Sequence, residues 1–152
     1  MRLETAAEIL DRAEFFDILT HEDKRLLAFA TEWQRFAADK VVCEGTEAPS
    51  GAHVLISGTL RATPTGEIAG RPYTISQPGT VISAMALILA KPRMITVTAM
   101  VDSELLFVPR ASFRRLMDQS PDIAERAVEH IQRDLTRYLD ALEPVRRKMK
   151  RS

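Results

Sequence analysis

A single arginine, Arg93, lies within a segment that carries little other charge, 81-VISAMALILAKPRMITVTAM-100. Mostly apolar residues come first, then Lys-Pro-Arg, then an alternating run typical of a strand. A guanidinium combines a positive charge with a planar fork of donors, which suits oxyanions such as phosphate. Two roles therefore fit Arg93. It either binds an anion, or it is an ordinary charge that is solvated or paired with a carboxylate such as Glu104 on a neighbouring strand.

The remaining chemically active residues do not form a catalytic or metal site. His21, His53 and His130 fall on a helix start, a strand and the last helix, and none lies at metal-ligand spacing from another. We interpret His53 as a hydrogen-bonded strand residue and Cys43, on an apolar strand, as a buried structural thiol. The sequence has no nucleophile elbow, phosphate-binding glycine-rich loop or paired catalytic carboxylates, so we predict no enzyme activity, no metal and no cofactor.

The composition indicates one globular domain. The chain has 152 residues, 45% of them hydrophobic, and its 21 basic residues balance 21 acidic ones. That balance argues against a surface that binds nucleic acid throughout, and we interpret the basic end, 144–152, as a solvated tail. The single cysteine fits a reducing compartment, so a cytoplasmic location is expected. The longest apolar run, 81–90, is about half a membrane span, so membrane insertion is not expected.

Hydrophobic periodicity divides the chain into helical, β and helical regions. Residues 3–33 have a helical pattern in which Thr20 is the N-cap of the second helix. Short β-type runs separated by glycine and proline turns follow over 40–109, a spacing that indicates a sandwich or barrel. The predicted runs are 40–44, 52–57, 59–63, 71–76, 95–100 and 103–109. Helices at 111–118 and from Pro121 to about 143 complete the pattern.

The last helix carries a narrow apolar seam with alternating four- and three-residue steps. A helix that packs on its own domain usually shows a wider stripe, so the seam favours a coiled coil between two copies of the chain, with packing on its own roll as the alternative. Pro144 lacks the amide that would bond to Asp140, so we expect the helix to kink or end there. The predicted homodimer contacts are Val128, Ile131, Leu135, Tyr138 and Leu142.

In this order, the elements resemble the cyclic nucleotide-binding domain family. The segment 15-FFDILTHEDKRLLAFA-30 is similar to the family's entry helices, 44-EG-45 and 57-SGTL-60 to its turn glycines, and 78-PG-79 precedes its phosphate-binding cassette. The segment 96-TVTAMVDSELLFVPRASFRRLM-117 is similar to its closing strands and following helix. The resemblance implies a mainly β fold with α-helices: a double-stranded β-helix, or jelly-roll-like β-roll, flanked by N-terminal helices and a long C-terminal helix within a domain of residues 1–143.

The resemblance further implies a pocket in the roll for cyclic AMP or cyclic GMP. The family's cassette supplies backbone amides at a short helix start, an arginine for the cyclic phosphate, and a Gly-Glu pair whose carboxylate accepts the ribose hydroxyl. Alignment on 92-PR-93 and 96-TVTA-99 places Arg93 at the arginine, Ser83-Ala84 at the Gly-Glu pair, and Met94 where a serine or threonine is usual. The ligand-binding residues expected from this alignment are Arg93, Ser83, Ala84, Met85 and Met94.

Two departures from the family pattern predict weak binding of a cyclic nucleotide, or binding of another small anion. Ala84 cannot accept a hydrogen bond from a ribose hydroxyl, which costs roughly 1.5–3 kcal/mol, or about ten- to hundred-fold in affinity. Met94 removes a hydroxyl donor to the phosphate, a loss of about 1 kcal/mol, and adds bulk near the ligand.

The function that these observations favour is a stand-alone regulatory domain that signals through its last helix to an unidentified protein partner. About ten residues follow Leu142, too few for a helix-turn-helix domain, so direct DNA binding is not expected. The alternative is a ligand-free dimerisation or protein-interaction scaffold whose pocket is filled by its own side chains.

Overall fold

Helices precede and follow a β-roll, which has eight strands in the part of the chain that the structure describes. The structure, a computed structural model, describes residues 2–65, 70–88, 90 and 94–133. The N-terminal helices are α1 (Arg2–Arg12), a 3-10 helix (Glu14–Ile18) and α2 (His21–Phe29). The strands are β1 (Glu32–Phe36), β2 (Val41–Cys43), β3 (Gly51–Ser57), β4 (Leu60–Pro64), β5 (Tyr73–Ile75), β6 (Val81–Ile82), β7 (Ile95–Ala99) and β8 (Ser103–Pro109). A second 3-10 helix (Ala84–Leu87) follows β6, α3 is Arg110–Gln119, and α4 begins at 121 and is described to 133.

The strands form two antiparallel four-stranded sheets whose apolar inner faces pack together. The first sheet has the order β1-β8-β3-β6 and the second β2-β7-β4-β5. Leu55 lies opposite Leu105 in the first sheet, and Ala62 lies opposite Val97 in the second. The buried residues between the sheets are Leu55, Leu60, Ala62, Ile82, Val97, Ala99 and Leu105. The structure confirms the predicted roll with flanking helices.

The helices cover the other face of the first sheet. Ala52 and Val54 on β3 and Leu106 and Val108 on β8 alternate with the inner-face residues and belong to a second buried cluster. That cluster is completed by aromatic and aliphatic side chains of the helices, including Phe16, Phe113 and Ile123, all at most 1% exposed. The inner face of the first sheet is therefore the one that remains available to line a pocket in the roll.

The N-terminal region differs from the prediction at one point. Thr20 is the expected N-cap, because its Oγ1 accepts a hydrogen bond from the Asp23 amide at 3.1 Å. The helix then ends at Phe29, and Glu32–Phe36 forms β1, so the helical prediction for 3–33 is corrected over its last residues. The segment EWQRF has few β-branched residues, and its strand conformation depends on pairing with β8, a partner about 70 residues away that local pattern does not reveal.

The α4 helix packs on its own domain with a face adjacent to the predicted seam. Ile123 and Ala127 are buried, and Ile131 packs partly against the same cluster. Val128 is 43% exposed. Successive residues are rotated by about 100° around the helix axis, so the predicted seam lies next to the buried face and not on the opposite side. Ile131 belongs to both. The seam residues Leu135, Tyr138 and Leu142 fall outside the described residues, as does the basic tail.

We compared the helices in the described part of the chain with the requirements for crossing a membrane. None of them has both the length and the apolar character needed to cross a bilayer.

Candidate functional site

The predicted cassette begins with a left-handed turn at Ser83. Strand β6 pairs with β3, with Ile82 opposite His53, and Ser83 then adopts φ 63° and ψ 46°. This region is favourable for glycine and uncommon for other residues. The Ser83 carbonyl accepts the Ala86 amide at 2.8 Å, which starts the short helix Ala84–Leu87, here called the cassette helix. The cassette thus turns in a glycine-like conformation although a serine occupies the position.

The cassette helix is held by its buried end. Ala86 and Leu87 are fully buried, whereas Ala84 and Met85 are half-buried. The Arg110 guanidinium donates from Nη1 to the Ala86 carbonyl at 3.1 Å and to the Pro49 carbonyl at 2.9 Å. Arg110 is also the first residue of α3, so one cation connects the cassette helix, the loop before β3 and the C-terminal helices.

The cassette ends at a second left-handed residue, Met94, with φ 58°. Its amide donates to the Gly45 carbonyl at 2.9 Å, and its carbonyl accepts the Thr65 amide at 2.7 Å. The Met94 side chain is 43% exposed. Arg93, the residue before it, lies outside the described residues, so its proposed role stays a prediction.

The carboxylate considered as an alternative partner for Arg93 has another partner. Arg35 on β1 and Glu104 on β8 lie opposite each other, and Arg35 Nε is 2.9 Å from Glu104 Oε1. This pair lies at the end of the roll where β7 turns into β8, and the cassette follows β6 at the other end of β3. Glu104 therefore has a partner on the adjacent strand, and an ion pair between Arg93 and a carboxylate stays the alternative prediction.

A polar pair lies on the inner face of the first sheet. His53 on β3 is 8% exposed, and its Nε2 lies 3.1 Å from Gln34 Oε1 on β1. The His53 ring also contacts Phe107 and Phe36, with ring centroids 5.0 and 6.3 Å apart. Burial lowers the pKa of His53 to about 4, so the imidazole is neutral at pH 7 and its Nε2–H donates to the glutamine carbonyl. His53 is the hydrogen-bonded strand residue that the sequence predicts.

The remaining reactive groups are the Cys43 thiol and the acidic side chains. Cys43 is half-buried, and burial raises the pKa of its thiol, which favours the unreactive protonated form. Within the described ranges, no group of three or more His, Cys, Asp or Glu side chains is arranged to hold a metal ion.

With this geometry established, comparison with known families assigns the chain. The profile of the cyclic nucleotide-binding domain matches residues 33–120. The chain belongs to the cyclic nucleotide-binding domain family. The family resemblance is therefore confirmed, and the matched residues include 33–36 of β1, the strand that the sequence pattern did not predict. A comparison with curated proteins returns no significant match.

Solved structures with the same fold include regulatory proteins. A protein of Silicibacter pomeroyi DSS-3, assigned as a cAMP-binding regulatory protein, superposes with a TM-score of 0.73 at 16% identity over 93% of this chain and 65% of its own. A cyclic nucleotide-binding-like protein of Brucella abortus gives 0.64 at 27% identity over 75% and 98%. The regulatory domain of Toxoplasma gondii PKA, in complex with cAMP, gives 0.67 at 22% identity over 85% and 50%. This chain thus spans about two thirds of the length of the Silicibacter pomeroyi protein and half of the length of the Toxoplasma gondii chain.

The structure adds residues to this cyclic nucleotide-binding domain that sequence reasoning missed. Gln34 was overlooked because β1 has the periodicity of neither a clear strand nor a clear helix. Thr65 and Thr96 were not singled out because their contacts join segments far apart in sequence. The glycine of 44-EG-45 was the available signal: Gly45 lies in a turn, in which the Glu47 amide donates to the Glu44 carbonyl at 3.2 Å, and it also closely contacts the cassette end.

The buried imidazole of this cyclic nucleotide-binding domain predicts a loss of stability in acid. The folded-state pKa of His53 is about 4 against an ordinary value of 6.5, so between these values the unfolded chain binds a proton that the folded chain does not. Stability should therefore fall as the pH is lowered through this range, by up to about 3 kcal/mol. Urea unfolding at neutral pH and near pH 4 measures it. His53→Gln should show a shallower pH dependence; equal slopes would contradict the assignment.

Proposed function

We propose that this domain binds a cyclic nucleotide, cyclic AMP or cyclic GMP, or another small anion in its place, through Arg93 and the cassette. The observation that carries the proposal is the conformation of Ser83, which holds a left-handed turn and a complete cassette helix at the position where the family has glycine. A serine in this conformation is disfavoured by itself, so the surrounding cassette imposes the shape. We take this turn and short helix as backbone that can hold an anion, although Ala84 and Met94 depart from the family's polar residues.

The expected affinity is lower than that of a domain with the family's glutamate. Ala84 leaves the ribose hydroxyl without a charged acceptor, a loss of about ten- to hundred-fold. The PKA regulatory domain of Toxoplasma gondii, which was solved with cAMP, shares the fold over 85% of this chain and supports the choice of ligand class. We propose a regulatory and non-catalytic role on the same grounds.

Calorimetric titration of the wild-type chain with cyclic AMP and cyclic GMP tests the proposal. Saturable binding of either nucleotide, with 5′-AMP as the control that lacks the cyclic phosphate, is the expected result. No heat at millimolar nucleotide would remove the cyclic nucleotide from the proposal. A titration with inorganic phosphate then tests whether a simpler anion has replaced it.

We propose that ligand occupancy is transmitted from the cassette to the C-terminal helices. Arg110 connects the cassette helix to the first residue of α3, and Arg126 on α4 donates to the Ile18 carbonyl at 2.8 Å. A ligand can shift these helices only by binding one arrangement more tightly than the other. Trp33, the single tryptophan, packs partly against the buried cluster between the first sheet and the helices, so its fluorescence would report such a shift.

We propose that the last helix forms a homodimer through Val128, Ile131, Leu135, Tyr138 and Leu142. We also propose that the protein is located in the cytoplasm. Leu135→Lys is expected to reduce the mass measured by sedimentation to that of a monomer, because a buried ammonium at the centre of a coiled-coil seam is strongly destabilising. Arg133→Glu is the control, because Arg133 is exposed and points away from both the seam and the domain. An unchanged mass for Leu135→Lys would rule out this dimer.

The scaffold alternative has one observation in its favour. Seven residues on the inner faces of the two sheets are at most 6% exposed and form a continuous apolar cluster inside the roll. A side-chain-filled roll would bind no nucleotide and still dimerise. The calorimetric titration and the sedimentation experiment together distinguish this alternative from the sensor.

A further inference from the structure

The end of the cassette is bound to two segments that are distant in sequence. The Met94 amide donates to the Gly45 carbonyl, and the Gly45 amide donates in turn to Thr96 Oγ1 at 3.0 Å. The Thr65 amide donates to the Met94 carbonyl. We call Gly45, Met94 and Thr96, together with the backbone amide of residue 65, the cassette clamp. The clamp joins the loop after β2, the end of β4 and the start of β7 around one residue, Met94.

Gly45 makes the closest backbone approach within the cassette clamp. It is buried, and a Cβ added to it would lie 2.6 Å from Thr65 Oγ1, 2.8 Å from the Ile95 nitrogen and 3.0 Å from the Met94 carbonyl carbon. Two of these atoms are backbone, so they cannot move aside by a change of rotamer. A glycine is needed here to let the loop after β2 approach the cassette end.

Hydrogen bonds, rather than side-chain packing, hold Met94 in its left-handed conformation. The conformation is unfavourable for a residue with a Cβ, and the half-exposed methionine side chain offers little packing to offset that cost. Both backbone groups of Met94 are used within the cassette clamp, one by Gly45 and one by Thr65. Thr96 stabilises the arrangement indirectly, because its hydroxyl accepts the otherwise unpartnered amide of the buried Gly45.

We propose that Gly45 and Thr96 are positioning residues of the anion site. By fixing the turn at Met94, they constrain the backbone directly after Arg93, and the proposal is that this constraint helps to preorganise the arginine. The inference rests on the proposed function, in which Arg93 binds the cyclic phosphate. A guanidinium gives its full contribution to a bound phosphate only when its direction is set in advance.

A matched control lies beside the cassette clamp in the side chain of Thr65, which the clamp does not use. Thr65 Oγ1 is buried and has no hydrogen-bond partner among the described residues, whereas Thr96 Oγ1 accepts the Gly45 amide. The isosteric substitutions Thr65→Val and Thr96→Val therefore remove a hydroxyl from the same cluster, and only the second breaks a hydrogen bond. Thr65→Val keeps the backbone amide that donates to Met94.

The test is calorimetric titration of the full chain with cyclic AMP. Thr96→Val should bind about tenfold more weakly than the wild type, while Thr96→Ser, which retains the acceptor, and Thr65→Val should bind like the wild type. Ile9→Ala, which truncates a buried α1 residue away from the cassette clamp, should lower the melting temperature without changing the affinity. Thr96→Val binding like the wild type would overturn the proposal, and so would an equal loss in Thr65→Val or in Ile9→Ala.

A measurement on the wild type keeps the test decisive if Thr96→Val does not fold. Because coupling between two sites is reciprocal, a ligand that depends on the cassette clamp must also stabilise it. Amide hydrogen exchange at Gly45 and Met94 should therefore slow when cyclic AMP is bound; unchanged exchange with demonstrated binding would overturn the clamp's role and leave the proposed function intact. Failure of the wild type to bind would instead reject cyclic AMP as the ligand, together with the ligand-directed role of the clamp.

Discussion

Replacing Arg93 by alanine is expected to weaken cyclic AMP binding by about 30- to 4,000-fold, the effect of removing one partner from a buried charge pair, roughly 2–5 kcal/mol. A cyclic phosphate carries one negative charge and loses its hydration in the pocket, so it needs both a cation and directed donors. The cassette helix and Ser83 can supply backbone donors but no positive charge. Titration calorimetry measures the change directly.

Two further variants separate the guanidinium from charge alone. Arg93→Lys keeps the positive charge and loses the planar fork, so its affinity should fall between those of the wild type and the alanine variant. Arg61→Ala removes one positive charge from an exposed position on β4, whose neighbour Ala62 faces the roll, and should leave the affinity unchanged. Wild-type affinity in Arg93→Ala would show that Arg93 does not contact the ligand.

Ala84→Glu is expected to strengthen cyclic AMP binding by about ten- to hundred-fold, because it restores a charged acceptor for the ribose hydroxyl. The backbone of residues 83–87 already has the turn and the short helix, since Ser83 is left-handed and Ala84 begins the cassette helix. Ala84 is half-buried, so in the absence of ligand the new carboxylate should lower the melting temperature. Bound ligand should recover that loss, which thermal unfolding with and without cyclic AMP measures.

The chemical origin of the gain can be checked with the ligand. If the new carboxylate binds the ribose hydroxyl, the gain should disappear with 2′-deoxy cyclic AMP and be smaller in Ala84→Gln, whose neutral amide is a weaker acceptor. An equal gain with the deoxy analogue would mean that the glutamate acts elsewhere. No gain with either ligand would show that position 84 does not face the sugar.

The elements that the sequence predicted well are those set by local rules. Thr20 caps α2 through the amide three residues later, and Pro121 is the first residue of α4, as their types and positions indicate. The strands from β2 to β5, β7 and β8 fall between glycine and proline turns close to the predicted runs. Each of these features depends on residues within a few positions of one another, which is why single-sequence reasoning could place them.

Only some residues of the candidate site could be predicted from the sequence. The motif around Arg93 predicted the position of the cassette and the absence of the family's glutamate, because those residues are contiguous in the sequence. The pairing of His53 with Gln34 could not be predicted, since it needs β1 to be a strand in register with β8. The cassette clamp likewise joins Gly45, Thr65 and Thr96, which only the closure of the second sheet brings together.

The amino-acid sequence by itself thus determined the roll, the cap of α2 and the family, because short-range hydrogen bonding, hydrophobic period and contiguous motifs encode them; the role of Arg93 stays a prediction. Only the tertiary structure decided that β1 is a strand, that Ile131 packs partly on its own domain, and that Gly45 and Thr96 hold Met94 in a left-handed turn. These features depend on contacts between residues 19 to more than 100 positions apart, and such contacts form only when the two sheets and the helices pack around their common cores.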